Sequence, residues 1–157
     1  MRAVCSDREG GASMIYSSLR AATTGEAKGR IALLSSPLSL WGGLDLADGT
    51  ICDVSHPQHG LSIKDKVIAM RAGRGSSSSS SVLVEATRRG IGPKAIILSR
   101  IDPILVIGSL VATELYGISI PIVLFPDDLW YSIPANAEVE IIATGETATL
   151  KIRRRST

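Results

Sequence analysis

Between residues 66 and 125 short apolar runs alternate with helical stripes, and this alternation limits the possible fold more than any other feature. KVIAM (66–70) reads as a strand and AIILS (95–99) as a second, buried one. Between them Val82, Leu83 and Ala86 share one helical stripe, with Glu85, Arg88 and Arg89 away from it. Gly90 is placed to end that helix, and Pro93 prevents its continuation. Ile104 to Tyr116 reads as another helix, closed by Gly117, and Ile120 to Phe125 as a third strand. The succession predicts a compact α/β domain around a β-sandwich or barrel-like sheet.

The flanks carry weaker signals. Residues 1–28 are poor in apolar periodicity, which predicts a loosely ordered N-terminal arm, and ordered structure is expected to begin at Arg30–Leu34. Residues 36–63, dense in Gly, Pro, Asp and Ser, read mainly as loop, with Asp48-Gly49 as a tight turn between two brief strands. Asp127 or Asp128 is expected to cap a short helical turn. Glu138–Ala143 and Thr147–Ile152 alternate as a terminal hairpin around Thr144-Gly145-Glu146. Residues 29–152 then form one domain, followed by a basic tail at 153–157.

Composition narrows the function classes. Of 157 residues 45% are apolar and 20% charged, which suits a globular chain rather than a disordered one. One Phe, two Trp and three Tyr require an aliphatic core. A net charge of +2 gives little attraction to nucleic acid, and Arg153-Arg154-Arg155 reads as a solvated tail rather than a phosphate track. The first thirteen residues lack a signal-peptide apolar stretch and no apolar run is long enough to span a bilayer, so a cytoplasmic location away from membranes is expected. Cys5 and Cys52 are expected as free thiols. Two cysteines outside any CxxC cannot hold a zinc site or an iron–sulfur cluster by themselves, so no metal or cofactor is expected in this chain.

The six serines of AGRGSSSSSSVLVE (72–85) can be a flexible spacer or the rim of a site. A spacer would separate a strand from a helix that must pack together, so the rim is the better reading. A helix start leaves N–H groups unpaired and carries partial positive charge, which favours a bound anion. Gly73 and Gly75 let a ligand approach the main chain, serines can cap or donate, and Arg74 offers a cationic fork. A Walker A loop is excluded because no lysine lies between 67 and 93. The dinucleotide fingerprint fails at Ser78, where its third glycine would stand. A phosphohistidine loop would need a histidine there. His56 and His59, in HPQH, lie elsewhere and read as a plain surface loop.

LSLWGGLD (38–45), SHPQHGLSIKDKV (55–67), AGRGSSSSSSVLVE (72–85) and DPILVIGSLVATELYGISIPIV (102–123) together resemble, in order, the small-subunit or swivel domain of aconitase X proteins. The HPQHG segment places the resemblance nearer the bacterial branch. It implies a swivelling β/β/α domain, and a hydro-lyase whose iron or iron–sulfur centre is held by a large catalytic subunit. It also implies Ser76 as the catalytic base, with Arg74, Gly75, Ser77, Ser78 and Ser80 holding a small hydroxy acid. Ser79 departs from the family, since many relatives have glycine there, and its hydroxyl is expected to be dispensable. The chain is expected to be inactive alone. The substrate expected from the resemblance is cis-3-hydroxy-L-proline, with a mevalonate phosphate as the alternative. From a different class, a stand-alone anion-binding module remains open.

Overall fold

The computed structural model describes residues 2–6 and 13–154. Its strands are β1 (Arg2–Ser6), β2 (Ser13–Thr23), β3 (Gly25–Leu33), β4 (Val67–Met70), β5 (Ala95–Leu98), β6 (Ile122–Leu124), β7 (Glu138–Thr144) and β8 (Thr147–Arg153). The helical segments are the short α1 (Leu40–Gly43), α2 (Ser79–Arg88), α3 (Pro103–Tyr116) and a 3-10 turn at Asp127–Ser132. Strand order is β1-β2-β6-β5-β4-β3-β7-β8, and β8 also pairs with β2. Seven strands therefore close on themselves, with β1 added to the first half of β2. The barrel-like sheet read from the sequence is present.

β3, β4, β5 and β6 run parallel, joined by the crossovers that hold α2 and α3. Because side chains alternate along a strand, these strands feed two cores. Val67, Ala69, Ala95, Ile97 and Val123 point into the barrel with Tyr16, Phe125 and Trp130. Ile68, Met70, Ile96, Leu98 and Ile122 point outward beneath Val82, Leu83, Ala86, Leu105 and Ala112 of the helices. Burial on both faces explains why β4 and β5 read as continuous apolar runs. A buried polar knot locks α3 to the sheet. Thr23 Oγ1 donates to Ile120 O at 2.8 Å, and the Ser109 hydroxyl lies 2.6 Å from the same carbonyl.

Several sequence expectations require correction. Residues 13–28 are not a loose arm, since they form β2 and the first part of β3 inside the barrel wall. Their inward positions include the small residues Ala21 and Ala27, so no long apolar run announces them. The rest of the arm lies mostly outside the described residues, apart from β1. Arg153 ends β8 rather than opening a tail, and 155–157 lie outside the described residues. The 3-10 turn has Pro126 before it, and neither Asp127 nor Asp128 caps it. The HPQH segment is a surface loop, as expected, with Pro57 and His59 exposed, but the His56 side chain turns inward and is only 6% exposed. Its Nδ1 accepts from Gln58 N at 3.1 Å, so Nε2 carries the proton and donates to Ser36 O at 3.1 Å. Cys52 is a free, exposed thiol, as expected; the Cys5 side chain lies outside the described residues.

Candidate functional site

The four parallel strands end side by side, and their exits bring together segments far apart in sequence. Ligands in open α/β sheets collect at such carboxyl ends. Here they carry 34–39 after β3, 71–78 after β4, 99–102 after β5 and 125–128 after β6.

The β4 exit holds the glycine–serine loop. Gly73 packs directly on the carboxylate of Asp102, where a β-carbon would collide. Gly75 has φ +103°, and a β-carbon there would run into the Ser39 side chain. The loop is thus held between two neighbouring exits and delivers residues 74–77 to the surface. Ser76 Oγ accepts from Ser78 N at 3.1 Å, and Ser76 O accepts from Ser79 N at 3.0 Å. The Ser76 side chain therefore folds over the start of α2 with its own O–H still available to donate. The amides of Gly75, Ser76 and Ser77 have no acceptor among the described residues. Ser78 occupies the N-cap position without a side-chain cap bond. Arg74 is exposed, and its charge helps hold the Asp53 carboxyl below its usual range, after the larger effect of hydrogen bonds from Ser55.

Two serines differ from their sequence reading. The Ser80 hydroxyl donates to Ser77 O at 2.8 Å, so it braces the loop instead of offering a donor to a ligand. Ser79 is buried, and its Oγ accepts from Trp41 N at 3.1 Å. The hydroxyl read as dispensable thus ties α2 to α1, where Trp41 stands 59% exposed.

Sequence reasoning missed a second cluster at the same edge. Arg71, the first residue after β4, donates from Nη1 to Asp127 Oδ1 at 2.5 Å. Asp127 also accepts from Ser99 Oγ at 2.5 Å. That hydrogen bond, then the charges of Arg71 and Arg100, keep its carboxyl below the usual range. The Arg71 guanidinium lies 5.5 Å from the Trp130 ring centroid and 5.2 Å from that of Tyr131. Only the position of Arg71 at a strand exit could have flagged it, because its partner is 56 residues away.

Comparison with known proteins agrees with this geometry. The family described as the aconitase X swivel domain matches residues 17–152. A cis-3-hydroxy-L-proline dehydratase of Hypocrea jecorina is 43% identical over 99 residues, 63% of this chain and 17% of that protein. One from Pseudomonas aeruginosa is 40% identical over 103 residues, 66% of this chain and 18% of that protein. This chain thus spans less than a fifth of their length. The phosphomevalonate dehydratase small subunit of Methanothermobacter thermautotrophicus is 34% identical over 125 residues, 79% of this chain and 91% of that protein. The structure of Thermococcus kodakaraensis aconitase X superposes with a TM-score of 0.75 at 25% identity, covering 88% of this chain and 98% of the other. This chain belongs to the aconitase X swivel-domain family.

Proposed function

We propose that the chain is the small, swivelling part of an aconitase X-type dehydratase, with cis-3-hydroxy-L-proline as substrate. The observation that carries this reading is the exposed glycine–serine loop, with Ser76 at the open start of α2. In such a dehydration a base takes the proton from the carbon bearing the carboxylate. The C–H electron pair becomes the new double bond, and the neighbouring hydroxyl leaves with its own pair. Ser76 is the base in this proposal. A serine alkoxide is costly in water, but here Ser78 N–H already points at Oγ from 3.1 Å, and Arg74, two residues earlier in the same loop, adds positive charge to it. The open amides of Gly75 and Ser77 can donate to an oxygen of the bound hydroxy acid.

Among the described residues no three of His, Cys, Asp and Glu stand together as a metal would require. No step is therefore routed through a metal of this chain, and departure of the hydroxyl is assigned to the large catalytic part that carries the iron centre. That part is expected to cover Trp41 and its two glycines, since aromatic side chains are enriched at interface cores. The higher identity to the two hydroxyproline dehydratases supports the ring amino acid over the phosphate ester.

The experiment is co-expression with a large aconitase X chain, followed by assays on cis-3-hydroxy-L-proline and on mevalonate 5-phosphate. Turnover of the first alone by the assembled protein is expected, and none by this chain by itself. Turnover of the phosphate ester alone would move the substrate. Tight phosphate or nucleotide binding by the isolated chain, with no turnover in the assembly, would favour a binding module.

A further inference from the structure

A cleft of about 540 Å³ opens between the exit of β3 and the turn after β6, and Arg71, the residue that leads into the glycine–serine loop, lines it. Leu33, Pro37, Trp130 and Ile133 give it mostly apolar walls. The walls are braced. Gln58 accepts from Ser35 N and donates to Ser35 Oγ, while His56 donates to Ser36 O. Trp130 is 6% exposed and packs edge-on to Phe125 at 6.5 Å, so that wall is fixed by the barrel core.

Arg71 is oriented more completely than stability requires. Two aromatic rings and Asp127 set its plane, and Ser99 sets Asp127. Yet the Arg71 and Asp127 side chains are 41% and 52% exposed, and an ion pair that open to water contributes little to folding. One nitrogen of the guanidinium is engaged by Asp127. Nε and Nη2 have no acceptor among the described residues. A planar guanidinium with two open donors, set in a rigid apolar cleft, is complementary to a planar carboxylate on a small hydrocarbon body.

We propose that Arg71 anchors the substrate's carboxylate, with the cleft receiving its ring and Asp127 acting as the positioning residue that holds Arg71 flat. This rests on the dehydratase reading above and deepens it, because it makes Arg71 a determinant of specificity for a ring acid. A carboxylate, not a phosphate, is the group assigned, since the cleft lining contributes one cation among apolar walls, which suits a singly charged anion rather than a doubly charged one.

The test uses the assembled protein and the variant Arg71→Lys, which keeps the charge but loses the fork. Binding of L-proline and of L-prolinamide, which lacks the carboxylate, is measured by calorimetry. Kinetics on cis-3-hydroxy-L-proline run alongside. The variant is expected to bind L-proline about 10–100-fold more weakly, with prolinamide unchanged and the loss in turnover confined mainly to KM. The inference is overturned if L-proline binds both proteins alike, if prolinamide weakens by the same factor, or if L-proline does not bind the wild type. Inorganic phosphate is titrated as a third probe, and loss of phosphate affinity alone would also overturn it. Because calorimetry needs no turnover, a wild type that binds L-proline through Arg71 yet fails to dehydrate the hydroxy acid removes only the reaction assigned above.

Discussion

Two helices start side by side at the same sheet edge, and they start differently. Asp102 closes α3 itself: its carboxylate accepts from Ile104 N at 2.9 Å and from Leu105 N at 3.4 Å, with Pro103 following. α2 has no side chain bonding from its N-cap, no acidic residue in its first turn, and free amides in the loop before it. One helix end carries its own anion, whereas the other has none. A helix without its own anion gives up stability worth about 1 kcal/mol, and the sequence leaves it that way at the loop where Gly73 and Gly75 are both constrained. On the function proposed above, α2 is the end that receives a ligand, and α3 is the end that supports the loop, since Asp102 also packs against Gly73.

The largest effect should come from the open end. Ser76→Ala in the assembled enzyme is expected to lower kcat by about 10²–10⁴-fold, with assembly and unfolding midpoint unchanged. Turnover at the wild-type rate would reduce Ser76 to a turn-forming hydroxyl and erase the distinction between the two ends.

Gly75→Ala tests how the open end is shaped. At φ +103°, against Ser39, an added methyl is strained both by backbone and by contact. Urea denaturation should show a loss of about 1–3 kcal/mol, with a larger proportional loss of turnover. Stability equal to the wild type would mean that the loop is not held as described.

How much of this was legible in the sequence depends on whether the signal was local. The α2 stripe of Val82, Leu83 and Ala86 was readable because a helix repeats its buried face within a few residues. β4 and β5 were readable because all four residues of each are buried. β2 was not, because its eleven residues mix buried, half-buried and exposed positions, and a bulge lies between Ala21 and Thr23. The glycine–serine loop was visible as one contiguous motif. Arg71, Ser99, Asp127 and Trp130 were not, because only the parallel pairing of β4, β5 and β6 brings the exits of these three strands together. Ser79 and Ser80 sat inside the visible motif and were still misread, since nothing in a run of serines tells which hydroxyl turns inward.

The closed and open ends can be compared directly by removing each cap. Asp102→Ala should cost about 1 kcal/mol, and at most about 2, because two amides of α3 lose their acceptor. Ser78→Ala should change the unfolding midpoint hardly at all, since its side chain makes no cap bond. Equal losses in the two variants would show that α2 is capped after all in solution, and the contrast between the ends would fail.

The smallest effect lies at the far end of α2, where the open helix keeps its ion pairs. Glu85 accepts from Arg88 Nε and Nη2, both at 2.8 Å, and from Arg89 Nε at 2.7 Å. These hydrogen bonds, with Arg88 first, lower its carboxyl from 4.5 to about 2. A carboxyl depressed in the folded state contributes stability that is complete above its unfolded value and fades as pH falls toward the folded one. The stability difference between wild type and Glu85→Gln should therefore be level from neutral pH down to about pH 5. It should shrink between 4.5 and about 2 and vanish below that. Because the group is exposed, 0.5 M salt should reduce the difference at every pH. A difference unaffected by both acid and salt would mean that Glu85 acts through packing, leaving α2 without an electrostatic brace at the end opposite its open start.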